Sequence, residues 1–299
     1  IDGTAGIKND GVFQNQATNK GWIAWLVFGY LVTFYIVLYF IPDFAVNQIL
    51  LVDNVSLSLS GNPSGEWFLY GFMYCVFMTV MGIRMLIKYR YNKYQIIRTI
   101  SVLFFQIAFA FLIPEILVRF KLPWYDFKNA WPLDYDFFFD WNFKALKDAG
   151  SIGLFMLVWG IVLTLIVVPV MVYFFGKRWY CSWVCGCGGL AETAGDPYRQ
   201  HSDKSMKAWK FERIIIYSVF VFAIFMTIGA LTRAEYFLGM KAEDIRFWYG
   251  FAVGSIFSGV IGTGFYPIFG NRVWCRFGCP LAAYMGIVQR FKSRFRITT

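Results

Sequence analysis

Histidine is almost missing from this chain, with one His in 299 residues. A single His cannot supply both imidazoles of a bis-His haem, and no Cys-x-x-Cys-His stretch exists for covalent haem attachment. Charge is also scarce, at 15% of residues, against about 25% in a soluble globular protein. That shortfall excludes a disordered chain and argues against an ordinary cytosolic enzyme. Phosphate-cradling loops are missing as well. The segment Gly186–Gly195 is glycine-rich but lacks the lysine of a P-loop, so no nucleotide site is read there. The first twenty residues carry no apolar core before a cleavage site, so they are not a signal peptide.

What the chain has in quantity is apolar and aromatic surface, 58% and 21% of residues. A helix needs about 20 mostly apolar residues to cross a bilayer. Six stretches meet that length, at 22–41, 67–87, 96–118, 151–175, 213–232 and 248–269. The expectation is an all-α membrane protein with six transmembrane helices. It divides into a polar N-terminal segment over 1–21, three helices over 22–118, an aromatic outer loop over 119–150, and a second half over 151–299.

The loops alternate in charge. Segment 88–95 holds Lys88, Arg90 and Lys93 with no acid, and loop 176–212 holds Lys177, Arg178, Arg199, Lys204, Lys207 and Lys210. The tail after Gly270 is basic and acid-free. Loop 42–66 has Asp43, Asp53 and Glu66 and no Lys or Arg, while 119–150 and 233–247 balance the two signs. By the positive-inside rule both termini are cytoplasmic. The net +10 then belongs to the lipid-facing ends of helices rather than to nucleic acid.

The chemistry lies in an internal repeat. Gly176-Lys-Arg-Trp-Tyr-Cys181-Ser-Trp-Val-Cys185 matches Gly270-Asn-Arg-Val-Trp-Cys275-Arg-Phe-Gly-Cys279 without a gap, as Gly-x-Arg-x-aromatic-Cys-x-aromatic-x-Cys. Each copy follows an apolar span with a proline near its end, Pro169 or Pro267. Spans four and six run in the same direction, so Cys181, Cys185, Cys275 and Cys279 emerge on one face. If the segment is helical, the Cys-x3-Cys spacing puts both sulfurs of a copy on one side. Convergent thiolates suit an iron–sulfur cluster or zinc. A disulfide, in a reducing compartment, and incidental packing are the other readings. Cys187 is a fifth thiol beside the same site, while Cys75, in mid-span, reads as a small buried hydrophobe. Arg178 and Arg272 either offset cluster charge or reach for the headgroups.

At these residues the chain resembles the NosR/NapH-type membrane polyferredoxins, which carry paired cytoplasmic Cys-x3-Cys-Pro motifs. The resemblance spans residues 150–299. Cys279 is followed by Pro280, as in that pattern, whereas Cys185 is followed by Gly186 and Cys187. The resemblance implies a multi-pass protein of the bacterial inner membrane. It implies a 4Fe-4S cluster near the cytoplasmic face, passing electrons between quinone or a cytoplasmic donor and a partner oxidoreductase. It further implies redox or maturation subunits as partners, and a ferredoxin-like domain after the basic strip, which this sequence stops short of. Two other classes stay open: a maturation or copper-reducing factor, and a structural or transport subunit with a zinc–thiolate site.

Three other features draw attention. Glu115, beside Pro114 at the outer end of span three, is either a proton or quinone site or a residue in the headgroups. His201, in a cytoplasmic loop, is either a ligand or proton relay or a solvated residue. Loop 122–143 alternates aromatics with acids; it reads as a re-entrant or interfacial segment, or as a docking surface or quinone lid.

Overall fold

The computed structural model describes residues 29–291 apart from 31, 35, 39, 204, 233–235 and 238–239, together with Arg294. The polar segment 1–21, the start of the first expected span and most of the basic tail lie outside the described residues, as do the side chains of His201 and Pro267.

Five helices are long and apolar enough to cross a membrane: α3 (Glu66–Lys88), α4 (Lys93–Arg119), α6 (Gly150–Phe175), α9 (Met206–Thr232) and α10 (Asp244–Gly264). The described part of the first expected span is helical and bends by 111° between Val32–Leu38 and Asp43–Leu51, which makes up to six spans if the bent pair counts as one. Pro42, with no N–H to donate, opens a 3-10 turn after Ile41, and α1 (Val46–Leu51) and α2 (Asp53–Leu59) follow. Apart from α5 (Asp140–Asp148), the remaining helices are short pieces around the repeat: α7 (Trp179–Trp183), α8 (Gly186–Thr193) and α11 (Pro280–Phe291). A two-residue antiparallel pairing of Tyr236–Phe237 with Met240–Lys241 is the only strand structure among the described residues. The chain is an all-α membrane protein.

Three spans contain π-helical stretches. Leu163–Val167 precedes Pro169 in α6, and Phe105–Leu112 precedes Pro114 in α4. A proline ring displaces the carbonyl four residues earlier, and a wider turn absorbs that displacement without breaking the helix. At Pro169 the span therefore bulges and continues. In α10 the wide turn runs through Gly250–Gly264. There the phenol of Tyr135 lies 2.8 Å from where a Cβ on Gly250 would stand.

Tyr135 belongs to loop 120–139, which does not lie flat on the outer face. Tyr125, Ala130, Phe137 and Phe139 are buried. The Trp131 N–H donates to Thr164 Oγ1 at 3.2 Å and its indole N–H to Thr227 Oγ1 at 2.8 Å. Thr164 stands eleven residues before Phe175, about 17 Å along the helix at 1.5 Å per residue. The loop is re-entrant and descends between the helices to about their mid-level.

Candidate metal centre

Both copies of the repeat turn the chain back into the bundle. Gly176 and Gly270 have φ of +81° and +82°, the left-handed region that costs an L-residue its Cβ clash. A Cβ on Gly270 would in addition meet the Ser202 Oγ at 2.4 Å. After each glycine comes one helical turn, α7 in the first copy and Trp274–Gly278 in the second. Cys185 (φ −73°, ψ 134°) and Cys279 (φ −79°, ψ 110°) then break into extended backbone and become the N-caps of α8 and α11. The closing hydrogen bonds also repeat: Cys185 N–H donates to Tyr180 O and Cys279 N–H to Trp274 O, both at 2.9 Å. The Cys-x3-Cys spacing thus does not put two sulfurs on one helical face. The first cysteine of each copy lies in a short helical turn and the second caps the next helix.

Cys185 lies well inside the bundle, deeper than the basic ends of the spans. Gln106 Nε2 donates to Val184 O at 2.5 Å, and Tyr74 Oη donates to Gln106 Oε1 at 3.2 Å. Gln106 is thirteen residues into α4, about 20 Å from its basic end, and that helix ends at Arg119. Cys185, the next residue after Val184, therefore stands beside the middle of a span. Segment 176–195 is a hairpin that enters from the basic side, turns at Cys185, and returns through α8. Gly188 permits this, because a Cβ there would lie 1.7 Å from Cys181 O.

Cys181, Cys185 and Cys279 are buried, Cys187 and Cys275 partly so, and none of the chain's cysteines is in a disulfide. The thiols act on one another. The neighbouring Cys187 sulfur, against the effect of burial, lowers Cys185, helped by the N–H groups of Gly188 and Cys187 and by Lys128. Cys187 is raised by its partner Cys185 and by burial. Cys275 is raised by the Cys181 sulfur and then by burial. Burial raises Cys279, with Cys181 and Cys185 next in effect, while the N–H groups of Ala282 and Leu281 oppose it. The sulfurs form two pairs, Cys181 with Cys275 across the repeat and Cys185 with Cys187 within it, and Cys279 senses both.

Among the described residues no three His, Cys, Asp or Glu side chains converge on one point as a single ion requires. Zinc at about 2.3 Å from each sulfur would draw four thiolates together around that point. A cluster spreads its thiolates over several irons, so paired sulfurs around a larger body suit it better. The N–H groups aimed at Cys185 and Cys279 are of the kind that stabilise thiolate and adjust a cluster's potential. The residues fit an iron–sulfur group, for which Cys181, Cys185, Cys275 and Cys279 would be the ligands and Cys187 the fifth thiol.

Two features not evident from the repeat complete the site. Glu192, buried in α8, pairs with Arg98 at 2.7 Å, Arg199 at 2.6 Å and Arg272. It ties the returning hairpin to α4 and to the second copy. From the opposite side, loop 120–139 reaches the thiols: Tyr180 Oη donates to Lys128 O at 2.7 Å, and Lys128 Nζ makes a buried ion pair with Asp126 at 2.7 Å. Gln106 had a signal in the sequence, a lone amide within the apolar run Phe-Phe-Gln-Ile-Ala-Phe. Glu192 had none, since its partners are distant in the chain.

Glu115 is not brought to the centre. It is half-buried in the last turns of α4, nine residues beyond Gln106, about 14 Å along the helix. Cys75 is buried in α3 with its sulfur 3.9 Å from Gln106 O, in keeping with packing.

Residues 153–205 and 249–298 match a family model described as a 4Fe-4S binding domain. No curated protein and no solved structure matches the chain. The two matched stretches each contain one copy of the repeat, with the span before it and the returning helix after it. The thiol-bearing half of this membrane protein is thus similar to a 4Fe-4S binding domain in each copy of the repeat, which supports an iron–sulfur cluster and is consistent with a polyferredoxin-like protein.

Proposed function

We propose that this chain is a membrane electron carrier. The observation that carries the reading is that Cys181, Cys185 and Cys279, from both copies of the repeat, share one buried cluster with Cys187 packed against it, on the two stretches that match a 4Fe-4S binding domain. When bound, the cluster supplies one-electron chemistry; the chain supplies ligands, a largely apolar setting, and the surrounding charge. Tyr180, Trp274, Val168, Val172 and Leu281 pack with the cysteines in one buried cluster, which lowers the local dielectric.

The thiols extend from Cys185, beside the middle of α4, to Cys181 and Cys275 on a cavity at the basic end, which supports a carrier with its near side toward the basic face. We assign the donor and acceptor to partner redox subunits or quinone, in the bacterial inner membrane with both chain ends cytoplasmic. The charge alternation of the loops supports that orientation.

Iron and acid-labile sulfide analysis of anaerobically purified protein tests the reading. About four of each per chain is expected for one 4Fe-4S group, reduced strongly in Cys275→Ser and unchanged in Cys75→Ala. Zinc without iron would sink the electron-carrier reading in favour of a structural thiolate site.

A further inference from the structure

Between α9, α11 and the two Gly-x-Arg turns lies a cavity of about 420 Å³, whose lining includes Lys177, Arg178, Arg213, Arg272, Arg276 and Arg290. Glu212 is the only carboxylate in that lining. The inner arginines are paired, Arg272 with Glu192 and Arg276 with Glu212 at 3.1 Å. Lys177, Arg178, Arg213 and Arg290 are exposed and make no ion pair among the described residues. Four cations around one concave mouth repel each other, and an anion relieves that repulsion. Guanidinium forks match the paired oxygens of a phosphate.

The rest of the lining is apolar. Ile216 on α9 faces Ala282, Ala283 and Gly286 on α11, and a Cβ on Gly286 would meet nothing within 4 Å. A cationic mouth over these apolar lining residues, at the basic end of the spans, is suited to a phosphate carrying hydrocarbon rather than to a free anion. Cys181 and Cys275 also line the cavity, whereas Cys185, Cys187 and Cys279 do not, so it opens beside the thiol group rather than within it.

We infer that this cavity holds the phosphate headgroup of an anionic phospholipid next to the Cys181–Cys275 pair. The site adjoins two of the thiols that the proposed function assigns to the cluster, and its test reads lipid, not iron.

Native mass spectrometry of the full chain, purified from nanodiscs containing phosphatidylcholine and phosphatidylglycerol, counts what remains bound. The expected result is one phosphatidylglycerol retained by the wild-type protein and lost from Arg213→Gln/Arg290→Gln. The control Arg84→Gln/Arg90→Gln, with basic residues outside the cavity, keeps it. Equal retention by both double variants, equal retention of phosphatidylcholine, or no retained lipid would overturn the inference. Displacement of the lipid by millimolar inorganic phosphate would instead assign the cavity to a soluble phosphate and would also overturn the lipid assignment. Iron measured on the same samples keeps the outcomes apart, since loss of iron with retained lipid would bear on the carrier reading alone.

Discussion

The hydroxyl of Tyr180 donates to the main-chain carbonyl of Lys128 at 2.7 Å. One residue adjoins Cys181 in the hairpin that enters from the basic side; the other is in the loop that descends from the opposite side. This bond joins the two re-entrant segments where they meet. In Tyr180→Phe the carbonyl of Lys128 loses its partner in a buried place. An unmet buried acceptor costs about 1–3 kcal/mol, so the unfolding midpoint in detergent is expected to drop while the iron content at low temperature stays the same. A variant with unaltered thermal stability would show that the contact contributes nothing.

Lys128 and Asp126 form a buried ion pair close enough for the ammonium to act on Cys185 and Cys187. Positive charge near a cluster favours its reduced, more negative form. Lys128→Met is thus expected to lower the midpoint potential, and Asp126→Asn, which leaves the ammonium uncompensated, to raise it. EPR-monitored redox titration of both variants checks the signs. Shifts in the same direction would mean that the changes act through structure and not charge.

Glu192 binds Arg98, Arg199 and Arg272 inside the protein. Removing one partner of a buried charge network leaves the others uncompensated, which costs roughly 3–5 kcal/mol. Glu192→Ala is expected to unfold at markedly lower temperature and to lose iron on mild warming. Arg199→Gln, whose side chain is 38% exposed, is expected to have a much smaller effect, since water replaces part of what is lost. Similar losses from the two changes would remove Glu192 from its central place in the network.

The spans were legible because hydropathy and length alone decide what crosses a bilayer. The repeat was legible because the chain contains its own second copy. Re-entry was not. A reversal at Gly176 or Gly270 leaves no periodic trace, and the mixture of Trp, Tyr, Cys and Gly that follows resembles an interfacial loop as much as a buried hairpin. The helix break between Cys181 and Cys185 was hidden for a related reason: spacing specifies a helical face only while the helix continues. The aromatic loop 122–143 was ambiguous because the residues suited to a headgroup belt also suit a slot between helices. Gln106 is decisive for depth, as its partner Val184 is 78 residues away, a pairing that one sequence does not reveal.

The descending loop is held at depth by Trp131, whose indole N–H donates to Thr227 Oγ1 at 2.8 Å. Thr227 is buried in α9, so Thr227→Val leaves the indole N–H without its acceptor. An unmet buried donor costs about 1–3 kcal/mol. The unfolding midpoint of Thr227→Val in detergent is therefore expected to fall, while Thr227→Ser, which keeps the hydroxyl, stays close to the wild-type protein. Equal midpoints for Thr227→Val and the wild type would mean that this contact does not anchor the loop.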